Sequence, residues 1–425
     1  MKAPYTLPWL AALCLGAATH AQTLPTPAGL PPEAAVQTVL SQLPAVRAAN
    51  AGLPWAQARS QRLQAGPYDW VAKAGANRRR DSAGGRYTEG EVGLETTLRW
   101  PAKVGTDQQL GRAAEQLAAL ALADAWHEAA RTLLDDWFDT LREARTAALL
   151  QAQDALMERL LAVTRRRVET GEAAPLELLA AQAERARWQA QAARAQAQAE
   201  LSRASLRRRY AGLSEPPAAA PASTAPDAPP QADAEAGARW VARILEDNHE
   251  LELAQARAAE ARLQAQRTLQ ERHPDPTVGV RATHERGGQE RVIGVYLSLP
   301  LGNAGRAADA QAALAKADMA EQESEQVRQK VELAAWRTAS QAQQSQATLA
   351  RQHEALTRTE QSAALQERAY ALGESALADT LLAQRNALEA RLTFETAALD
   401  ARQAQARLLL DAHRLWTPPQ HLHAR

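Results

Sequence analysis

Two stretches of the chain are too long and too free of helix-breaking residues for an ordinary globular domain. Residues 106–170 contain no proline and one interior glycine, Gly111, and residues 306–372 contain neither. At about 1.5 Å of rise per residue, such a helix spans roughly 100 Å. Apolar residues recur at spacings of three and four, for example at Leu133 and Trp137, and the other faces are polar. Each helix is therefore predicted to pack against a returning helix and against neighbouring subunits.

The two stretches belong to halves that repeat the same landmarks. Residues 171–182 match residues 373–384 at a constant offset of 202, with glycine first, an acid seventh and glutamine twelfth. Between the halves, residues 214–235 contain six prolines, which predicts a semi-rigid linker. The predicted parts are a signal sequence at 1–21, a first repeat at 22–213 with its helical hairpin at 106–212, the linker at 214–235, a second repeat at 236–416 with its helical hairpin at 306–415, and a tail at 417–425.

Each half also has two short segments with strand-like alternation before its long helix. The predicted strands are residues 67–77, 91–100, 276–284 and 291–300, and polar loops at 78–90 and 284–290 join each pair. A small sheet packed on helices would account for them. Strands of about 9–11 residues with one apolar face are also the unit of a membrane β-barrel. Four strands cannot close a barrel, so strands in a membrane would require oligomerisation.

The N-terminus has the layout of a secretory signal. Lys2 precedes an apolar run at residues 7–18, and small residues end at Ala21, the predicted cleavage site. Cys14 is the only cysteine, and Leu13 before it does not fit a lipoprotein signal. The mature chain would then lack disulfides, thiol catalysis and thiolate metal sites. The signal favours membrane strands with aromatic anchors near their ends, and the candidates are Tyr68, Trp70, Trp100 and Tyr296.

Composition and motifs exclude other classes of function. The chain has 49 Lys and Arg against 49 Asp and Glu, and this zero net charge does not favour nucleic-acid binding. The sequence contains no phosphate-binding glycine loop, Ser/His/Asp set or dinucleotide fingerprint, and His421 with His423 is only a weak metal pair. No run of about 18 apolar residues follows the N-terminus, which predicts no transmembrane helix. We therefore predict no enzyme, cofactor or metal site.

Duplicated halves, each with a strand hairpin and a long helical hairpin, resemble the TolC family of outer-membrane efflux proteins. The resemblance covers about residues 32–416, and it is most specific at the glycine turns of 171 and 373 and at residues 245–251 and 292–303. It implies a mainly α fold with a small β part. It also implies a homotrimer, whose strands form one twelve-stranded transmembrane β-barrel that an α-helical tunnel continues into the periplasm.

The function that this resemblance implies is a passive exit duct in the outer membrane, in contact with lipid. Its partners would be a periplasmic adaptor protein and an inner-membrane pump, most typically of the RND type, and no nucleic acid. The compact length resembles members that serve metal-cation or drug pumps, but the cargo is not identified. The alternatives are a periplasmic coiled-coil adaptor, an outer-membrane duct for type I secretion and a soluble structural coiled coil.

The resemblance assigns site residues at the two helix reversals. The turns would be the periplasmic tips that dock the adaptor, at Val168, Thr170, Gly171 and Glu172 and at Tyr370, Leu372, Gly373, Glu374 and Ser375. Glu177 and Asp379 lie six residues past the glycines, where the helix macrodipole favours an acid by about 0.3–1 kcal/mol. In the family, carboxylates here form a ring at the channel entrance. Asp379 matches that position better, although Ser375 stands where one member has arginine.

Overall fold

The computed structural model describes residues 29–80, 82–216, 234–302 and 304–418. The predicted signal sequence with its cleavage at Ala21 lies outside these ranges. Most of the linker and of the C-terminal tail, including His421 and His423, also lies outside them.

Both halves of the described chain have the same order of elements. The first half contains α1 (Glu33–Gln42), α2 (Pro44–Ala65), β1 (Val71–Arg80), β2 (Arg86–Thr97), α3 (Pro101–Glu169) and α4 (Pro175–Arg209). The second half contains α5 (Ala234–Glu246), α6 (His249–Gln270), β3 (Thr277–Glu285), a 3₁₀ turn (Arg286–Gly288), β4 (Glu290–Ser298), α7 (Ala304–Ala371) and α8 (Leu377–Asp411). The fold is therefore mainly α with a small β part, as the sequence predicts.

Proline positions account for where two of the long helices begin. Pro101 and Pro175 occupy the first turns of α3 and α4, where no backbone N–H is needed and the fixed φ suits a helix. Helix α3 is 69 residues long, which corresponds to about 100 Å, and α7 has 68 residues. Both start slightly before the predicted positions 106 and 306, because helical periodicity becomes visible only after the first turn.

The predicted hairpin loops are too long. Arg78 and Arg80 pair with Thr88 and Arg86, so β1 and β2 continue through most of the predicted loop at 78–90. In the second hairpin, β3 continues to Glu285. The strands also end before the predicted positions 100 and 300. The polar composition of the hairpin ends suggested loops, but backbone pairing requires no apolar side chains.

The four strands form one antiparallel sheet in the order β1-β2-β3-β4. The register places Ala72, Leu94, Val280 and Val295 in one row across the sheet. Because successive side chains point to opposite faces, this row defines an apolar face and its neighbours a polar face. Within the described residues, the outer edges of β1 and β4 pair with no strand.

The largest core surrounds the middle of α3. Trp126, Trp137 and Phe138 are buried there against Leu410 and Trp416 from the end of the second repeat. A second cluster joins α3, α4, α7 and α8 near the helix reversals. Among the described residues, no helix combines the length and the apolar character that crossing a membrane demands.

Candidate channel entrance and membrane strands

The two helix reversals have almost identical backbone geometry. Gly171 and Gly373 follow α3 and α7 with φ of 79° and 80°, a conformation that costs glycine little. At the first turn, the Glu172 N–H donates to the Arg167 carbonyl oxygen at 2.8 Å, and at the second, the Glu374 N–H donates to the Ala369 carbonyl oxygen at 2.9 Å. These six-to-one bonds define the C-terminal cap of a helix. The sequence duplication thus extends to the details of both tips.

Side chains make the tips different. The buried Tyr370 hydroxyl lies 3.0 Å from Thr164 Oγ1 and donates to Glu177 Oε2 at 3.2 Å. Arg167 stacks 4.5 Å from the Tyr370 ring, and its Nη1 donates to the Tyr370 carbonyl oxygen at 2.9 Å. Burial raises the pKa of Tyr370, and the negative charge of Glu177 adds to this rise. Glu177 is therefore tied to α7.

Asp379 occupies the equivalent position in the second repeat, but it is exposed. Within the described residues, its carboxylate makes no hydrogen bond or ion pair. The residue that corresponds to Tyr370 at the offset of 202 is Val168, which has no hydroxyl to donate. The structure therefore ties one of the two predicted entrance acids to a neighbouring helix and leaves the other in solvent.

Most of the predicted docking residues are on the surface. The exposed residues are Thr170, Gly171, Glu172, Leu372, Gly373 and Glu374, and Leu372 is 67% exposed. Val168 and Ser375 are half-buried, whereas Tyr370 is buried and therefore belongs to the interior of the tip. Sequence reasoning missed Thr164 and Arg167. The sequence feature that could have pointed to them is Tyr370, an aromatic hydrogen-bond donor three residues before Gly373. The first repeat has no such residue at the equivalent position before Gly171.

All four predicted aromatic anchors lie at the end of the sheet nearest the helices, and Tyr68, Trp70 and Trp100 lie just outside the strands there. Trp70 is 69% exposed. The Tyr68 hydroxyl donates to Asp275 Oδ2 at 2.9 Å, and the Trp100 indole N–H donates to the Pro274 carbonyl oxygen at 2.9 Å. These polar contacts fix the ring positions while leaving part of each ring exposed.

Tyr296 lies on the polar face of the sheet, and its role as a membrane-interface anchor stays a prediction. Its hydroxyl donates to Glu95 on the polar face, where Lys73 Nζ lies 2.6 Å from Glu95 Oε2. Tyr296 directly follows Val295 of the apolar face, and the two side chains of a strand dipeptide point in opposite directions. Proximity to a strand end suggested an anchor, but the period of two places this ring on the other side.

A buried charge network joins the sheet to the helices. Lys103 Nζ lies 3.0 Å from both Glu271 Oε2 and Asp275 Oδ1, and the side chains of Lys103 and Asp275 are each 1% exposed. Burial alone would raise the pKa of Asp275, but hydrogen bonds from Lys103, Tyr68 and the Trp100 N–H hold it below its usual value. The sequence does not indicate this network, because its members come from three separated segments.

Three histidines meet near the middle of the helices, which their positions in the sequence did not indicate. The ring centroid of His413 lies 5.1 Å from that of His127 and 4.5 Å from that of His249. His127 Nε2 lies 3.4 Å from Asp411 Oδ1. Burial, together with the neighbouring histidines, lowers the pKa of His413 to about 4. In the part of the chain that the structure describes, no group of His, Cys, Asp and Glu has an arrangement that could hold a metal ion.

Comparisons with known proteins agree with this architecture. Residues 240–410 match the model of a family described as outer membrane efflux protein. The outer membrane protein VceC of Vibrio cholerae is 17% identical with a TM-score of 0.73, and the match covers 89% of this chain and 95% of VceC. The CmeC outer membrane channel of Campylobacter jejuni is 11% identical with a TM-score of 0.70, covering 89% of this chain and 84% of CmeC.

The open state of the MtrE outer membrane channel of Neisseria gonorrhoeae is also similar. It is 16% identical with a TM-score of 0.67, and the match covers 91% of this chain and 89% of MtrE. No curated protein sequence matches the chain significantly.

The fold is that of the outer-membrane channels with which it was compared, and the family match covers residues 240–410, within the second repeat. The predicted resemblance to the TolC family of outer-membrane efflux proteins is confirmed, with the family match on the second repeat. The matched family is described as an outer membrane efflux protein, and CmeC and MtrE are outer membrane channels, which agrees with the prediction that this chain is not an enzyme.

Proposed function

We propose that three copies of this chain form the passive exit duct of a tripartite efflux system. The observation that carries this proposal is the four-stranded sheet, which has two unpaired edges and an exposed apolar face. Ile293 and Val295 are 85% and 83% exposed on that face. In lipid, each unpaired backbone group costs several kcal/mol, so the edges of such a sheet must be paired.

Pairing β4 of one copy with β1 of the next satisfies both edges at once. Three copies would supply twelve strands, which exceeds the minimum of about eight for a closed membrane barrel. The polar face, with Lys73, Glu95 and Arg281, would then line the lumen, and the apolar face would contact lipid. The long helices of the three copies would continue the duct into the periplasm.

The two tips are the proposed contact with the adaptor, and the pump of the inner membrane supplies the energy. Support comes from the exposure of Leu372 and Glu172 at turns that end the molecule farthest from the sheet. Asp379 is the proposed entrance carboxylate. It is exposed and uncompensated among the described residues, so three copies would concentrate cations at the entrance.

Surface labelling tests the placement of the hairpins. Ser82 and Gln289 lie in the two hairpin turns and are exposed. The mature chain would have no cysteine, so Ser82→Cys and Gln289→Cys would each introduce a single thiol. Both should react with an impermeant maleimide on intact cells, whereas Leu372→Cys at a tip should react only after the outer membrane is permeabilised. Labelling of the hairpins only after permeabilisation would contradict the duct and favour a periplasmic adaptor.

Planar bilayer recordings test the entrance. Asp379→Asn removes one charge per copy with little change in size, so the channel should lose cation preference and sensitivity to block by trivalent cations added from the tip side. Glu177→Gln is the matched control, because Glu177 is tied to Tyr370, and it should have a smaller effect. Equal selectivity and block in the wild type and Asp379→Asn would refute the entrance assignment while leaving the duct itself intact.

A further inference from the structure

The charged side chains of the sheet are segregated between its faces. The hairpin end of the apolar face carries four arginines, Arg78, Arg80, Arg86 and Arg291. The glutamates of the strands, Glu89, Glu91, Glu95, Glu285 and Glu290, all lie on the polar face. Among the described strand residues, the apolar face therefore has positive charge without any carboxylate to balance it.

The arrangement of these arginines is unfavourable unless an anion joins them. Arg80 and Arg86 are directly opposite each other across β1 and β2, and like charges in such pairs destabilise a sheet. Both are exposed, and neither forms an ion pair with a described residue. Arg79 lies between Arg78 and Arg80 in the same run but faces the other way, and its Nη1 lies 3.5 Å from Glu89 Oε1.

The depth of the arginines matches the surface of a membrane. Trp70 and Arg80 lie on the same face and are ten residues apart, which is about 33 Å along a strand. With the usual barrel tilt of about 35–45°, the vertical distance is about 25 Å, the height of the apolar band of a membrane barrel. If Trp70 marks the periplasmic interface, Arg80 lies at the level of the outer headgroups. This step rests on the proposed function.

A groove runs along the apolar face below the arginines. It has a volume of about 640 Å³, and two rows across the sheet line it: Ala74, Val92, Ala282 and Ile293, and then Ala76, Gly90, His284 and Arg291. Glu91, whose side chain belongs to the polar face, also borders it. His284 and Arg291 line its end nearest the hairpins. The groove is thus apolar at its end nearest the helices and basic at its end nearest the hairpins, which is the polarity of an anionic lipid.

We propose that this face binds a phosphorylated lipid of the outer leaflet, with an acyl chain in the groove and phosphate groups on Arg78, Arg80, Arg86 and Arg291. Arginine suits this role because its planar guanidinium group donates paired hydrogen bonds to phosphate oxygens. A bound phosphate would also offset the repulsion between Arg80 and Arg86. Barrel closure would repeat the same basic surface once per copy around the lipid-facing circumference.

Native mass spectrometry of the full-length trimer in detergent tests this proposal. The probes are lipid A with two phosphates, its monophosphoryl form and phosphatidylcholine. Lipid A should bind more tightly than the monophosphoryl form, and phosphatidylcholine should bind weakest. The double variant Arg78→Gln/Arg80→Gln should weaken lipid A binding by about tenfold or more, because charge-assisted hydrogen bonds are lost.

Arg79→Gln is the matched control, since it removes the same charge from the same run but on the polar face. It should change lipid A binding by less than about twofold, since its charge lies across the sheet and is paired with Glu89. Equal affinity for the three lipids, equal weakening by Arg79→Gln, or unchanged binding in the double variant would each overturn the proposal. Displacement of lipid A by millimolar inorganic phosphate alone would show a free-phosphate site and would also overturn it.

Two further measurements separate this proposal from the function. A heat-sensitive trimer band on unboiled gels shows that each variant has assembled. Conductance in bilayers of phosphatidylcholine alone tests the duct without the proposed lipid. A channel that conducts but does not discriminate among the lipids would refute the lipid site only, whereas a protein that neither trimerises nor conducts would refute the duct.

Discussion

The two longest helices are nearly equal in length but differ in what covers them. Helix α3 has 69 residues, of which 24 are buried, whereas α7 has 68 residues, of which nine are buried. Trp137 on α3 is 2% exposed, and Trp336 on α7 is 58% exposed. The first helix therefore forms the core of the single chain. The second retains exposed apolar surface, which neighbouring copies would cover in the proposed trimer.

The two repeats also differ in the contacts made at their tips. The duplicated backbone gives both tips one turn geometry, but Tyr370 ties Glu177 to a helix while Asp379 remains in solvent. Duplication thus preserves the architecture, and divergence of a few side chains gives one repeat a structural role and the other an exposed, charged surface. The predictions below test this division, beginning with the two tryptophans.

The largest effect is expected from removing a tryptophan from α3. Trp137→Ala deletes a buried ring and the hydrogen bond from its indole N–H to the Gly29 carbonyl oxygen at 2.9 Å. The loss should destabilise the fold by about 3–5 kcal/mol. The measurement is thermal unfolding, and the midpoint should fall at every protein concentration.

Trp336→Ala on α7 is the matched variant. Because its ring is exposed in the single chain, its removal should weaken the trimer rather than the fold of each copy. The unfolding midpoint should therefore become more dependent on protein concentration. If both variants lower the unfolding midpoint equally at all protein concentrations, then α3 does not stabilise the single copy, and α7 the trimer, as their burial predicts.

A smaller loss of stability is expected from breaking the charge network that joins the two repeats beside the sheet. Asp275→Asn keeps the side-chain volume but removes the charge that faces Lys103, Tyr68 and the Trp100 N–H. Lys103 retains Glu271, so the expected cost is about 2–3 kcal/mol in the free energy of unfolding. Urea unfolding measures it. Glu321→Gln removes the exposed ion pair with Arg262 inside the second repeat and should cause no measurable change in the free energy of unfolding. A loss of stability comparable to that of Asp275→Asn would contradict the conclusion that burial makes the Asp275 contacts important.

These comparisons also show what sequence reasoning can and cannot reach. Gly171 and Gly373 could be located because a helix without proline must reverse at a residue that tolerates positive φ. The link from Tyr370 to Glu177 could not, because it joins residues 193 positions apart and no periodicity relates them. Asp275 was likewise missed, because a single acid beside a strand carries no signal until the fold brings Lys103 to it.

Alternation along the strands predicts which residues share a face, but nearness to a strand end does not. The period of two correctly grouped Val92 with Leu94 on one face. Tyr296 was assigned by its position near a strand end, and the same alternation places it beside Glu95 instead. Strand criteria reward apolar residues and therefore predict a loop at the arginines of the first hairpin, whereas the backbone pairing of Arg78 and Arg80 depends only on register.

Acidification should weaken the contact between repeats at the histidine cluster. His127 comes from the first repeat and His249 and His413 from the second, with Asp411, Asp124, Asp247 and Glu252 as the nearby acids. The folded pKa of His413, about 4, lies below its unfolded value of about 6.5. Between these values the unfolded state takes up a proton and the folded state does not, so stability is full above about pH 6.5 and falls toward pH 4.

Between pH 7 and pH 4 the free energy of unfolding should fall by about 1–2 kcal/mol, after allowing for solvent screening of the partly exposed His413 ring. Unfolding free energies measured between pH 7 and pH 4 test it. His413→Asn should flatten this dependence, and asparagine is chosen because the position has a φ of 55°. The exposed His273→Asn should leave the dependence unchanged. An unaltered pH profile in His413→Asn would exclude this residue as the source.

The smallest effect on stability, and the most direct test of the difference between tips, is expected from Tyr370→Phe. The variant keeps the ring and its stacking with Arg167 but removes the hydroxyl that contacts Thr164 and Glu177. Loss of these hydrogen bonds should cost about 1 kcal/mol, or roughly a fivefold shift per copy in any equilibrium that separates α7 from the first tip. The open probability of single channels in planar bilayers should therefore rise. Val168→Tyr places a hydroxyl at the equivalent position of the first repeat and should lower the open probability if that hydroxyl can bind Asp379 as Tyr370 binds Glu177. Leu372→Ala, an exposed tip variant that removes no hydrogen bond, controls for general loosening of the turn. If Tyr370→Phe and Leu372→Ala leave the open probability equally unchanged, the contact between Tyr370 and Glu177 stabilises only the tip, and the inequality of the repeats does not extend to gating.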